Sequence, residues 1–502
     1  MPSDAGQPQL RLHPMSWLFS LGSLLRQLLV PLIAVMIFGG ADRELGQQLA
    51  LGLFLLCVVL GIALWRQYWF RYGWSNGVLL ISQGLVFRRV RHVEFSRIEN
   101  ISTQVTPLHR WLGVVSVQIE TSSGGRPEAE LQVLSTAALA ELREAIQGSR
   151  AAPEDASALP AEAEHQLLRL PATELIRYGL IDNRGLFVVL AGMALLQQSG
   201  LLRLGWERFG TWLAQVPLPD LDALGPGGTA ALLVISIVAA IVLLRLLSVA
   251  HALLRFWGFA LTERDDGFRL SYGALTRRQL TLRRARIQAL YQVQNLLHRA
   301  FGRCALHIDL AGGVLDDSES GGDSVRYLAP LCRPGQAQEL AQRVFPQMAH
   351  DADDWQGLAP GARRRLTRRL GLIWSALLLV PGLWYLGHWG WLGLGLSLPL
   401  AALQAHMQVR YTRWVLTPEM LLLEQGWLRR TRVLLPRARV QALQLTTSPF
   451  DRRLRMASLL VDTAGAMQRP AFRLRYLDAR QAADLQHALY RSDPVAPEAA
   501  AG

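Results

Sequence analysis

The feature that most restricts the fold is a pattern that occurs three times. Gly84, Gly273 and Gly426 each stand 13 residues ahead of an arginine (Arg97, Arg286, Arg439), and each arginine stands 23 residues ahead of an acid (Glu120, Asp309, Asp462). Equal spacings in both directions, in three widely separated segments, point to one module in triplicate. Within a copy, runs such as "GVLLIS", "QGLVFRRVRHVEF" and "GVVSVQIET" alternate aliphatic and polar residues with the period of two of half-buried strands, broken by glycine at turns. Each copy then becomes helical. Ser135 caps "TAALAELREAI", Pro334 opens "GQAQELAQRVF" and Asp478 caps "ARQAADLQHALY". The module is therefore expected to be a set of strands closed by one C-terminal helix.

Between the copies the chain is apolar over long stretches. A bilayer core about 30 Å thick needs about 20 apolar residues per helix. Leu45 to Trp65, Gly185 to Leu202 and Ala223 to Leu244 are free of charge, and the 40 residues from Leu370 to Val409 hold no Asp, Glu or Arg, enough for two crossings with a break at Gly387 to Gly390. A sixth window, Leu24 to Gly40, carries Arg26 and Pro31; it reads either as a span or as a cleaved leader ending at the small residues Gly39 to Ala41. The spans pair into three hairpins. The chain has no lysine, so all 52 basic residues are arginine, and the net charge is +13. Arginine crowds the long segments, as in "RRRLTRR" at Arg363 to Arg369, so the positive-inside rule places those segments and both termini in the cytoplasm. The excess positive charge calls for anionic partners. Repeated membrane anchoring makes phosphate headgroups the expected ones and nucleic acid not.

The membrane hairpin, the arginine-ended strands, "LHRWLG" at Leu108 to Gly113 matched by "LHRAFG" at Leu297 to Gly302, the acidic strand and the final helix resemble the bacterial pleckstrin-homology (PH) domain membrane proteins of the YdbS/YdbT type, in the longer, three-copy layout. The resemblance implies an α+β membrane protein with about six transmembrane helices in three hairpins, each followed by a PH-like β-barrel or sandwich capped by a helix, with no known catalytic activity. The expected divisions are a first hairpin within 1–66, PH-like domains at 67–150, 251–350 and 410–492, a linker at 151–170, further hairpins within 171–250 and 351–409, and a disordered tail at 493–502. In the third copy Arg455 replaces Gly113 and Gly302, and Asp451 replaces His109 and His298, which puts the function of that loop in doubt there.

Two sets of residues stand out. Arg97, Arg286 and Arg439 either hold a phosphate or carboxylate or form internal bridges with Glu120, Asp309 and Asp462; opposite charges recurring at fixed spacing favour the structural role. The expected headgroup or partner contacts are Arg88, Arg89, Arg91, Arg277, Arg278, Arg283, Arg284, Arg429 and Arg430, together with Arg110 and Arg299 beside Trp111 and Phe301. The alternative is a set of solvated faces with aromatics filling the barrel end. Cys57, Cys304 and Cys332 have no disulfide or metal-ligand spacing, and no catalytic motif is present, so the chain is expected to be neither an enzyme nor a cofactor carrier. The leading reading is a bacterial inner-membrane scaffold that binds lipid headgroups or a protein partner in the same membrane. The rival is a transporter or accessory for export of, or resistance to, toxic peptides. Only Arg26 is ionisable inside a span, and that scarcity weighs against transport.

Overall fold

A computed structural model describes residues 68–75, 77–83, 89–121, 129–150, 165–182, 225–264, 267–311, 326–347, 354–387, 391–464 and 472–490, with isolated positions before residue 66. After a short strand β1 (Leu10–Arg11), the first copy runs β2 (Arg71–Ser75), β3 (Val78–Gln83), β4 (Arg89–Glu94), a 3-10 turn at Phe95–Arg97, β5 (Ile98–Val105), helix α1 (Pro107–Leu112), β6 (Val114–Thr121), β7 (Ala129–Ser135) and α2 (Thr136–Arg150). Strand β8 (His165–Arg169), α3 (Ala172–Ile181) and α4 (Gly225–Phe256) lead to the second copy: β9 (Ala260–Arg264), β10 (Gly267–Tyr272), β11 (Arg277–Arg283), a 3-10 turn at Arg284–Arg286, β12 (Ile287–Gln294), α5 (Leu296–Ala300), β13 (Cys304–Leu310), β14 (Arg326–Cys332) and α6 (Pro334–Val344). The helices α7 (Ala362–Leu386) and α8 (Trp391–Arg410) precede the third copy. It repeats the order with β15 (Arg413–Leu416), β16 (Met420–Gln425), β17 (Arg430–Pro436), a turn at Arg437–Arg439, β18 (Val440–Thr446), α9 (Pro449–Arg453), β19 (Met456–Thr463), β20 (Phe472–Asp478) and α10 (Ala479–Tyr490).

The repeated spacings have a geometric meaning. Each marker arginine ends a 3-10 turn, and the strand after it bulges at once, between Ile98 and Asn100, Ile287 and Ala289, and Val440 and Ala442. The marker acids Glu120, Asp309 and Asp462 face Asn100, Ala289 and Ala442, the first paired residues beyond that bulge. A bulge adds twist and bends the strand, so the pattern marks the corner where the module turns from one sheet to the next.

The sheets do not respect the repeat boundaries. Their orders are β1-β2-β3-β4, β7-β6-β5-β11-β10-β9-β8, β14-β13-β12-β17-β16-β15 and β18-β19-β20. Strand β5 of the first copy pairs antiparallel with β11 of the second, and β12 of the second with β17 of the third. The chain accordingly divides into two compact units, one holding most of residues 1–281 and the other most of 282–502, and the division passes through the second copy. In the first unit, Leu79, Ile81, Ile98, Ile119, Leu134 and Leu142 form the centre of a core between the first copy's strands and α2. In the second unit, Leu421, Leu423, Val433, Leu459, Val461 and Leu474 pack against Leu485 and Leu489 of α10, with Ala289 of β12 in the same cluster.

Two helices among the described residues are long and apolar enough to cross a membrane, Gly227–Phe256 and Ala362–Trp384. Six are therefore not confirmed. The windows Leu24 to Gly40 and Gly185 to Leu202 lie outside the described residues, and Leu45 to Trp65 largely so. The uncharged stretch from Leu370 does break where its glycines predict, with α7 ending at Leu386 and α8 starting at Trp391. Trp374 Nε1 donates to Gln404 Oε1 at 2.7 Å and the Ser375 and Ser397 hydroxyls lie 2.9 Å apart, polar links of the kind that hold helices together where burial of apolar surface gives no drive. In the first unit Arg245 of α4 donates to the carbonyls of Leu180 (3.0 Å) and Asp182 (3.3 Å) at the end of α3.

Candidate functional site

A groove of about 330 Å³ opens in the third copy where α7 enters the module. Its lining comes from the first turns of α7 (Arg365, Arg369), the segment joining β18 to α9 (Thr446, Thr447, Ser448), Asp451 of α9, Ser458 of β19, and Arg473, Arg475 and Tyr476 of β20. Helical spacing of four puts Arg365 and Arg369 on one face. Ala362 and Leu366 are buried in a cluster with Ala359, Met456 and Tyr476, which fixes the helix against the module. Strand alternation does the same for β20: Phe472 and Leu474 point into the core, while Arg473 and Arg475 stand exposed on the other side. Tyr476 holds a left-handed backbone (φ 62°), and its carbonyl accepts the Ala359 amide at 3.0 Å.

The charge balance of the groove is uneven. Arg365 Nε meets Asp451 Oδ1 at 3.2 Å, and its guanidinium lies 4.9 Å from the centre of the Phe450 ring. Burial pushes the Asp451 carboxyl up, but the Ser448 hydroxyl and amide and the Arg365 guanidinium outweigh this and hold it below the ordinary value. One acid therefore stands against four arginines. Arg475 is lowered by burial and then by the like charges of Arg473 and Arg369. Arginine does not give up its proton under such pressure, so the remedy open to this site is an anion. The hydroxyls of Thr446, Thr447, Ser448 and Ser458 give it further polar lining. This is a feature of the third copy, because the strand positions six and four residues before the first residue of the final helix are Glu130 and Gln132 in the first copy and Leu328 and Pro330 in the second.

The predicted contact residues that the structure describes are divided between the two units. Arg88 lies outside the described residues, as do the side chains of Arg89, Arg97 and Glu120, while Arg91 is exposed on β4. Arg277 and Arg278 are in β11, drawn into the sheet opposite Val105 and Gln104 of the first copy. Arg283 ends that strand, and the Arg284 guanidinium lies 5.5 Å from the Phe268 ring centre. Arg430 lies 4.6 Å over Tyr411 and pairs with Gln294 in the sheet; Arg429 precedes it beside His298. Trp111 is 81% exposed and Phe301 40%. Arg110 donates to the carbonyls of Ala274 (3.0 Å) and Leu275 (3.1 Å), and Arg299 to that of Trp427 (3.1 Å). These acceptors follow Gly273 and Gly426, so each "LHR" arginine clasps the turn of the next copy.

Arg286 donates to the Ala311 carbonyl through Nε (3.2 Å) and a terminal nitrogen (2.8 Å). The Asp309 carboxyl is raised by burial, opposed by the Leu310 amide and raised further by Asp462. Asp462 accepts the Thr463 amide at 2.9 Å, and Arg439 ends its 3-10 turn.

The histidines of the "LHR" element turn out to be helix caps. Thr106, Asn295 and Ser448 each start the short helix, and the third residue on, His109, His298 or Asp451, reaches back to them at 2.5, 2.7 and 2.6 Å. Asp451 therefore does in the third copy what histidine does in the others. Sequence reasoning missed Arg473 and Arg475, although "FRLRY" places both on one strand face. It also missed that Cys304 and Cys332 are opposite one another across β13 and β14, with sulfurs 3.6 Å apart.

The sequence matches the family model described as "Bacterial PH domain" three times, at residues 20–150, 209–348 and 369–493. Over 469 residues it is 23% identical to UPF0699 transmembrane protein YdbT of Bacillus subtilis (strain 168), covering 89% of this chain and 91% of that one. No solved structure matches. Three copies of one module, the same turn and bulge in each, and a family match over most of the length agree: the chain belongs to the bacterial PH domain family.

Proposed function

We propose that the chain is a non-enzymatic scaffold of the bacterial inner membrane, anchored by six helices in three hairpins with its modules on the cytoplasmic side. On this reading the arginine groove of the third copy takes a phosphate-bearing lipid headgroup. The observation that carries it is that Arg365 and Arg369 belong to the helix that continues into the apolar stretch from Leu370, while Arg473 and Arg475 come from the module. A ligand held by both would lie at the membrane surface. Arginine near an anionic surface contributes roughly 1 kcal/mol, so Arg473→Gln with Arg475→Gln is expected to weaken binding of anionic lipid by roughly thirty-fold. The test is lipid retention by the full chain, purified in neutral detergent and titrated with phosphatidylglycerol, read by native mass spectrometry. Equal retention by the double variant, or equal retention of phosphatidylcholine, would remove the proposal.

A further inference from the structure

The internal joins between copies follow one rule. At the first, Gln279 faces Thr103; at the second, Arg432 faces Gln292. In both, the sixth residue after the marker glycine is opposite the sixth residue after the marker arginine of the preceding copy. The neighbouring pairs keep step, with Arg278 opposite Gln104 and Thr431 opposite Val293. Two joins in one chain thus use the same two strands in the same register, each clasped by an "LHR" arginine.

A series of three modules with two such joins leaves one half of the join open at each end. Strand β4 corresponds to β11 and β17, and it ends its sheet; β18 corresponds to β5 and β12, and it too ends its sheet. Among the described residues β4 is paired only with β3 and β18 only with β19, so each has one edge with no strand beside it. Their surfaces show the difference. Tyr291 and Gln292 of β12, which pair with Val433 and Arg432 of β17, are half-buried, whereas their counterparts Gln444 and Leu445 of β18 are exposed. Val90 of β4 is 41% exposed and Leu445 of β18 is 38% exposed. Val90 is the sixth residue after Gly84, and Leu445 the sixth after Arg439.

We propose that β4 of one chain pairs antiparallel with β18 of a second copy of the same chain, in the register of the internal joins. Val90 then faces Leu445, Arg91 faces Gln444 and Arg89 faces Thr446. Two exposed apolar side chains cover each other, and Arg91 meets a polar partner as Arg278 meets Gln104 and Arg430 meets Gln294. The third copy also keeps the clasp residue, since Arg452 occupies the place of Arg110 and Arg299 and is exposed. Such a head-to-tail contact uses different surfaces on the two partners, so it extends into a row or closes into a ring. Long open edges are a liability unless they are covered or charged, and self-pairing covers both.

The experiment uses the full chain in membranes with Cys57 replaced by serine. Val90→Cys and Leu445→Cys are made in separate chains and oxidised alone and together; directly opposed strand residues bring Cβ atoms within disulfide reach. The expected result is a dimer band in the mixture and in neither chain alone, and a dimer or longer ladder when one chain carries both. Cross-linking that appears equally in the single variants, that closes only within one chain of the double variant, or that is absent throughout would overturn the proposal. Sizing in detergent gives a second arm. Val90→Lys with Leu445→Lys is expected to reduce the assembly to single chains and Val90→Lys with Leu445→Glu to restore it; sizes unaffected by either change would overturn it as well.

Discussion

At the residue scale, two side chains of the "LHR" element show how position overrides residue type. Gly113 and Gly302 close their short helices at φ 65° and 59°, and Arg455 does so in the third copy at φ 52°. A left-handed backbone costs a residue with a Cβ about 1–2 kcal/mol. Arg455→Gly is therefore expected to stabilise the third module by about 1 kcal/mol, measured as a rise in the denaturant midpoint. His298 makes the opposite point. Burial, and then the charge of Arg429, bring its imidazole down to about 4. A folded value below the unfolded one means that the unfolded chain binds the extra proton. The stabilising contribution is thus complete above about pH 6.5 and is lost as pH falls through 4. Unfolding midpoints measured from pH 7 to pH 4 are expected to decline less steeply in His298→Asn, which can still accept and donate at the cap.

At the scale of elements, the short helices and the turns work as pairs. Arg299 leaves α5 of the second copy to reach the Trp427 carbonyl just beyond the β16 strand of the third. A hydrogen bond from a charged donor contributes about 1.5–3 kcal/mol. Arg299→Ala is expected to speed hydrogen exchange in the turn at Gly426–Arg429 by at least ten-fold, with β19 and β20 unaffected. Much of this level was legible in the sequence, because it depends on near neighbours. Alternation gives the strands, Ser135 accepts the Ala138 amide at 3.1 Å and Asp478 the Arg480 amide at 2.9 Å as helix caps, and the repeated spacing marks the bulged corner. What was not legible depends on distant partners. Nothing near "HRWLG" says that Arg110 meets a turn 164 residues away, and a separation of 28 in sequence conceals that Cys304 and Cys332 face each other. The groove falls between these cases. "RRRLTRR" was visible as a topological signal, while "FRLRY" went unread, and only the packing of Leu366 on Met456 and Tyr476 brings the two together.

At the scale of the whole molecule, the sheet pattern makes the repeat and the folding unit different things. In a chain ending before Ala260, β5 keeps β6 but loses β11. Amides of β5 that face β11 are expected to exchange at rates close to those of unstructured peptide in that shortened chain, while those facing β6 remain protected; uniform protection of both sets would show that the first module is complete by itself. The same pairing has a consequence for synthesis. Val105 leaves the ribosome about 170 residues before Arg277, its partner in the sheet. At roughly 5–20 residues per second, β5 waits some ten to thirty seconds with one side open, while α4 is made and inserted. The nascent chain must therefore keep an unpaired strand edge apart from other growing chains during that interval.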